Sequence, residues 1–260
     1  MAGHSKWAQI KRAKAVKDSK KGAAFAQSSR EIMMAAKLGG GDPEANFRLR
    51  TAITHAKIVG MPADNIKRAI EKGCGVGAAD QMEALNYEGY GPGGVAIFIE
   101  TLTDNRNRTA GDIRSYFNKY NGNLGTDGSV AWIFEEKGII RLEPSKQGPS
   151  KLSEEEAFEK ALEAGAADFA VVEDDETGES LFEIQTLPLE LNDVCHALTA
   201  TGLSIRSAVV TRLPQNSVRV ETEDIAKPLL KLMDAIESQD DVREVYANFE
   251  LDEALLAKLE

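Results

Sequence analysis

The chain of 260 residues carries 42 Asp/Glu against 31 Lys/Arg, a net charge of −11, with 42% hydrophobic and 6% aromatic residues. That balance excludes the disordered and fibrous classes and supports packed cores in two or three domains. Cys74 and Cys195 stand far apart with no paired spacing, which excludes a disulfide framework or zinc knuckle and leaves two idle thiols in a reducing cytosol.

Charge is unevenly placed along the chain. Residues 1–21 hold seven Lys/Arg and one acid; residues 1–73 hold 15 basic groups against 6 acidic, and residues 74–260 hold 16 against 36. From Gly22 the apolar positions recur at helical steps through Phe25, Ile32 and Ala36, and the run stops at Gly39-Gly40-Gly41. Asp42 is the expected cap of a second helix with Pro43 in its first turn, carrying Leu49, Ala52, Ile53 and Ala56 to about Gly60. Pro62 opens a third, Ala63 to Lys72, closed by Gly73.

The pattern changes to strands beyond Gly73. A Gly-rich turn over Tyr87–Gly94 leads into a strand at Val95–Leu102, then a helix capped by Thr103 or Asp104 runs to Lys119, and a strand follows at Val130–Phe134. Strands at Gly138–Leu142, Phe169–Glu173, Leu181–Gln185 and Leu203–Leu213 alternate with helices at Ser153–Ala164 and Leu189–Thr201. By themselves these give the β-α-β-β-α-β order of a ferredoxin-like sandwich, with Phe169–Glu173 and Leu181–Gln185 as its hairpin. A strand at Ser217–Val220, a helix over Glu223–Glu237 and a strand at Val242–Leu251 are too few to bury a sheet alone. They are expected to complete the sheet begun at residues 87–134. The fold class is therefore α+β with three domains: a basic arm and helical domain over 1–75, a discontinuous α/β domain over 76–134 and 214–260, and an inserted ferredoxin-like domain over 135–213.

Chemistry is sparse. Gly89-Tyr-Gly-Pro-Gly-Gly94 spells G-x-G-x-x-G, but a dinucleotide fingerprint needs a helix after it and a strand follows here, so a hairpin turn is expected. The acidic run Glu173–Glu179 lacks the alternating ligands of a calcium loop and reads as a solvated hairpin turn. Ser153 with Glu156 reads as a capping box. His4, His55 and His196 sit near no nucleophile motif, so no catalytic residue, cofactor or metal is expected and the chain reads as a non-enzyme. No apolar run reaches the roughly 18 residues that span a bilayer, and the start lacks a secretory signal, which points to the cytoplasm.

The basic end is the exception. Lys6, Lys11, Arg12, Lys14, Lys17, Lys20 and Lys21, with the aromatic Trp7, suit phosphate contact and base stacking. If residues 8–21 are helical, Lys14, Lys17 and Lys21 share one face. Arg50 and Lys57, seven apart on the second helix, extend the positive field. Arg106 and Arg108, in Asp104-Asn-Arg-Asn-Arg-Thr109, sit where a helix N-terminus and guanidinium forks can hold phosphate; the competing reading is an N-cap with salt bridges.

His4-Ser-Lys-Trp7, Ala35-Ala36-Lys37 with Gly39-Gly40, Asp42-Pro43, Asn46 with Leu49-Arg50, Met61-Pro62, Tyr87–Gly94, Thr103–Thr109, Gly128–Ala131 and Asn248-Phe249 together resemble the YebC family along essentially the whole chain. The resemblance implies a helical domain followed by two α/β domains, one interrupting the other, and a role in gene expression without catalysis. Bacterial members are described as DNA-binding transcriptional regulators and organellar relatives as translational activators. The expected partner is therefore DNA, or ribosomal RNA and the ribosome. A membrane is not expected, and the acidic domains leave room for a protein partner. The resemblance transfers no site residue, so the basic positions above rest on charge and placement.

Overall fold

The computed structural model describes residues 20–75, 83–143, 146, 151–174, 178–251 and 255; the side chains of residues 20–24, 26 and 47 fall outside that description. Two compact units result, one built from the described residues of 10–132 and 217–260, the other from 133–216.

The larger unit begins with three helices: α1 (Lys20–Gly39), α2 (Phe47–Ile58) and α3 (Ala63–Cys74). Ile32, Ala35 and Ala36 of α1 meet Leu49, Ala52 and Ala56 of α2 and Ile66 and Ala69 of α3, all buried, as the 3.6-residue stripe requires. The cap of α2 is Asn46, not Asp42. Its Oδ1 accepts the Leu49 N–H at 3.0 Å, while its Nδ2 donates to the Ala35 and Gly40 carbonyls at 2.8 and 2.7 Å. An amide can cap one helix and donate to two carbonyls at the end of another; Asp42, an acceptor alone, takes the Glu44 N–H in the connecting turn. Helices α1 and α3 cross so closely that a Cβ on Gly73 would stand 2.4 Å from the Met33 carbonyl oxygen.

The sheet follows, with strands β1 (Glu83–Tyr90) and β2 (Ala96–Thr103) paired antiparallel. The Gly-rich segment is a hairpin turn as expected, with Gly93 and Gly94 at φ of 75° and 76°, a region that costs a side chain dearly. Its first half is strand: Tyr87–Tyr90 belongs to β1. Helix α4 (Arg106–Lys119) buries Ile113 and Phe117, and β3 (Asn123–Leu124) pairs with β1. After the second unit the chain returns through β8 (Val218–Val220), α7 (Glu223–Glu237), β9 (Val242–Ala247) and β10 (Phe249–Leu251). Strand β9 completes a sheet of order β3-β1-β2-β9, as the tail was expected to do. The last strand is broken, however, and β10 leaves to pair in parallel with β8. Asn248 is the pivot: its Oδ1 takes the Ala96 N–H at 2.8 Å and its carbonyl the Val218 N–H at 2.6 Å, so it serves both sheets.

The strand expected at Val130–Phe134 is a short 3-10 turn over Ala131–Ile133 running into β4 (Phe134–Leu142). Buried Glu88 is the reason: its carboxylate accepts the N–H groups of Gly128, Val130 and Ala131 at 2.7, 2.7 and 2.8 Å, withdrawing them from any ladder.

The unit 133–216 interrupts the larger one between β3 and β8 and holds β4, α5 (Glu154–Glu163), β5 (Asp168–Glu173), β6 (Ser180–Thr186), α6 (Leu191–Ala200) and β7 (Ile205–Pro214). Its sheet, ordered β5-β6-β4-β7 with every neighbour antiparallel, is the ferredoxin-like arrangement expected from the element order. Ile140, Leu142, Phe182 and Ile184 pack beneath Ala157 and Ala161 of α5 and Val194 and Leu198 of α6. Ser153 and Glu156 form the predicted capping box. In the acidic run Asp174 is buried and not solvated, because Arg206 stands 2.7 Å from its carboxylate; its N–H donates to the Glu179 carbonyl at 2.7 Å, and residues 175–177 lie outside the described residues.

Candidate nucleic-acid interface

Lys6, Trp7, Lys11, Arg12, Lys14 and Lys17 lie outside the described residues, and Lys20 and Lys21 contribute only their backbone, in the first turn of α1. Four candidates, Arg50, Lys57, Arg106 and Arg108, have described side chains, and the structure divides them.

Arg50 is exposed but committed to its own domain: Nε donates to the Pro43 carbonyl at 3.0 Å and Nη2 to that of Glu44 at 2.7 Å. It pins the turn between α1 and α2 to the side of α2. Lys57 is exposed in the last turn of α2, and Lys67, Arg68 and Lys72 are exposed along α3, each backed by the buried stripe of its helix. These four cations are presented to solvent by rigid elements.

Arg106 is exposed at the first residue of α4, and its carbonyl accepts from the Tyr87 hydroxyl at 3.3 Å. Arg108 is spent on carboxylates. Its Nη2 lies 2.9 Å from Asp104 Oδ1 and 2.8 and 3.0 Å from the two oxygens of Asp241. The end of α4 is likewise taken, with Asn105 Oδ1 accepting the Arg108 N–H at 3.1 Å. An N-cap with salt bridges therefore describes this helix start, and the nearby carboxylates oppose a phosphate there. Asn105 is the cap, in place of Thr103 or Asp104; the Thr103 hydroxyl instead accepts from the Asn105 N–H at 2.9 Å and lies 2.8 Å from the Thr109 hydroxyl.

Asp241 is the centre of this constellation and was invisible in the sequence. It is 2% exposed and receives, beyond Arg108, the Thr109 hydroxyl at 2.8 Å and Gln239 Nε2 at 3.3 Å, with Arg30 of α1 at 3.5 Å. Burial pushes its carboxyl pKa up, but the hydrogen bonds from Arg108, Thr109 and Gln239 outweigh this and hold it below the ordinary carboxylate range. Hydrogen bonds to Asp241 and to Asp104 raise the pKa of the Arg108 guanidinium. Asp241 is thus the centre of a bracket that ties α4, through Arg108 and Thr109, and α1, through Arg30, to the loop before β9. Arg30 also donates to the Asp240 carbonyl, and Gln27 to that of Arg243 at 2.5 Å.

Beside this bracket a cavity of about 60 Å³ is lined by Glu31, Arg48, Glu100 and Arg243 among others. It is far below the volume of a metabolite pocket, and its charges are balanced, with Arg243 Nη2 2.8 Å from Glu31. Arg48 has its pKa lowered by burial and by the neighbouring Arg243. Among the described residues no group of three His, Cys, Asp or Glu is placed to hold a metal ion, and no helix is long and apolar enough to cross a membrane. His55 stands 3.9 Å from Glu31, and His196 is exposed on α6.

Comparison with known proteins converges on one family. Residues 5–76 match the TACO1/YebC protein N-terminal domain and residues 82–249 the TACO1/YebC second and third domain. The chain is 50% identical over its whole length to the whole of a protein of Sulfurihydrogenibium named "probable transcriptional regulatory protein". A protein of Natranaerobius thermophilus with the same name is 48% identical, with 98% of this chain and 99% of that one covered. The crystal structure of a conserved hypothetical protein from Aquifex aeolicus superposes with a TM-score of 0.74 at 44% identity, covering 91% of this chain and 93% of that one. Two domain profiles spanning nearly the whole sequence, and full-length relatives at half identity, place this chain in the TACO1/YebC family of proteins named as regulators.

Proposed function

We propose that the protein is a non-enzymatic, cytoplasmic regulator of gene expression that grips nucleic acid with its basic end. The observation that carries this reading is the division of charge. Residues 1–73 hold 15 basic groups against 6 acidic, while residues 133–216 hold 7 against 17. The contact end comprises Lys6, Trp7, Lys11, Arg12, Lys14, Lys17, Lys20 and Lys21 of the arm with Lys57, Lys67, Arg68 and Lys72 of the helical domain, and Arg106 at its margin. Arg50 and Arg108 leave the set because their guanidinium groups are engaged internally. The reading keeps the three-domain division, with 1–75 the contact domain, 76–134 and 214–260 its platform, and 135–213 a separate acidic domain.

The regulator names of the relatives favour DNA and transcription. A second reading, RNA on a ribosome, is favoured by the acidic remainder. A body carrying that much negative charge is repelled by a duplex, so contact must be end-on or be supported by basic protein surfaces. Crosslinking in cells followed by sequencing of both DNA and RNA separates the two. Promoter DNA without ribosomal RNA removes the translation reading, and the converse removes transcription. In vitro, neutralising Lys11, Arg12, Lys14 and Lys17 together should weaken binding strongly at unchanged melting temperature. About six phosphate contacts predict a slope of log K on log salt near −5 for duplex DNA and shallower for single strands. Trp7→Ala should cost about 1–3 kcal/mol if the indole stacks on a base. Unaltered affinity in the four-site variant would remove the arm from the interface.

A further inference from the structure

The ferredoxin-like unit carries a surface that the nucleic-acid reading leaves unused. Phe158, Leu162 and Val171 are 48, 62 and 40% exposed, against the buried neighbours Ala157, Ala161 and Phe182. They lie together. Phe158 and Leu162 are four apart on α5, Phe158 meets Phe169 of β5 edge-on with ring centroids 5.8 Å apart, and Phe169 leans on Phe182 at 5.3 Å. Val171 is two residues from Phe169 and pairs with Phe182, so both β5 side chains point to the helix-covered face. The result is an apolar strip along α5 that continues onto β5, anchored to the core by a stack of phenylalanines.

Strand β5 is an edge, paired among the described residues with β6 alone. The ladder bond from the Asp174 N–H to the Glu179 carbonyl sets the alternation of β5, so the backbone groups of Val171 and Glu173 face away from β6. Phe169 also faces out, and its N–H is taken by Asp168 Oδ1 at 2.9 Å. Glu155 and Glu159, at helical spacing from Phe158 and Leu162, and Glu173, on the same face of β5 as Val171, are all exposed and make an acidic rim, within a unit holding 17 acidic groups against 7 basic. Open backbone, an apolar strip and an acidic rim each select one feature of a ligand: an extended chain, alternating apolar side chains, and positive charge.

We propose that the β5 edge and the α5 strip dock a basic, extended polypeptide segment of another protein, which adds as a strand beside β5 and lays its apolar side chains on Phe158 and Leu162. Nucleic acid is repelled by the rim, so this surface and the basic end take ligands of opposite charge, and neither reading depends on the other.

The test uses the full chain and two fluorescent octapeptides of equal charge, alternating Lys–Val and alternating Lys–Ser, followed by anisotropy. The Lys–Val peptide should bind at least tenfold more tightly. Phe158→Ser with Leu162→Ser should bring it to the Lys–Ser level. Val171→Pro should do the same by removing one outward N–H while leaving the β6 ladder intact. Circular dichroism melts establish that each variant is folded. Equal affinity for the two peptides, or undiminished Lys–Val binding by the folded double variant, overturns the proposal. Neutralising Lys11, Arg12, Lys14 and Lys17 should leave peptide affinity unchanged. A tenfold rise would identify the chain's own arm as the occupant and overturn the assignment to another protein.

Discussion

Asp241→Asn tests the bracket that joins the helices to the sheet. The carboxylate receives Arg108 on both oxygens at 2.8 and 3.0 Å, Thr109 at 2.8 Å and Gln239 at 3.3 Å, all while almost fully buried. Asparagine keeps one oxygen and turns an NH2 group toward a guanidinium. Breaking a buried pair by removing one partner costs about 3–5 kcal/mol; because Arg108 is half exposed and can turn to solvent, the low end, about 3 kcal/mol at pH 7, is the expected loss. For a cooperative unit of this size that is a fall of roughly 6–12 °C in melting temperature, measurable by differential scanning calorimetry. Asp104→Asn is the control. It removes an exposed carboxylate 2.9 Å from the same Arg108 and should cost under about 1 kcal/mol. The pH dependence has a fixed sign. The folded pKa of Asp241 lies below its unfolded value, so its contribution is complete above about pH 4 and disappears as pH falls through the folded pKa. Parent and variant melts should therefore converge in acid. A loss below about 1 kcal/mol at pH 7, or a gap that widens on acidification, would refute the reasoning.

Three further outcomes follow from the geometry. Glu88→Gln replaces an acceptor of three backbone N–H groups by one that also donates, which should cost about 2 kcal/mol and raise amide exchange at Gly128, Val130 and Ala131, read by hydrogen-exchange NMR. Gly73→Ala places a methyl against the Met33 carbonyl and should destabilise the helical domain by about 1–3 kcal/mol in a urea titration, with β1 to β10 unaffected by exchange. Arg50→Ala and Lys57→Ala should separate: the first lowers melting temperature through the turn at Pro43–Glu44, the second weakens nucleic-acid binding at unchanged stability. Equal effects of the two on both measurements would remove the division made here between structural and contact cations.

Where periodicity and local hydrogen bonding decide, the sequence was legible. The stripe Leu49, Ala52, Ala56 and the Ser153 capping box formed as read, and the order of elements from β4 to β7 was enough to identify the ferredoxin-like sandwich. Misreadings fell where a distant polar side chain overrides the local pattern. Asp42 and Asn46 are both acceptable caps by composition, and the choice turned on carbonyls of α1 that only a folded chain brings to Asn46. Strand β1 was missed, its last residues Tyr87–Tyr90 reading as part of the Gly-rich turn, and Glu88 within it unmade the strand expected at Val130 by taking the backbone N–H groups there.

The candidate site divides along the same line. That one end of the chain is basic and another acidic is a property of the covalent sequence, since formal charge depends on residue type and nothing else. Which cations are free to meet a phosphate depends on partners many positions away. Arg106 and Arg108 are two residues apart and read alike, yet Arg108 lies 133 positions from the carboxylate that holds it. Asp241 itself stands in an ordinary loop before β9, with no periodicity or motif to mark it. The sequence by itself determined the polarity, the helical and ferredoxin-like elements and the family resemblance, because these rest on residue type and near-neighbour spacing. Only the tertiary structure decided that Arg50 and Arg108 brace the fold and that Phe158, Leu162 and Val171 share one exposed strip, because chain folding alone sets which side chains remain in water.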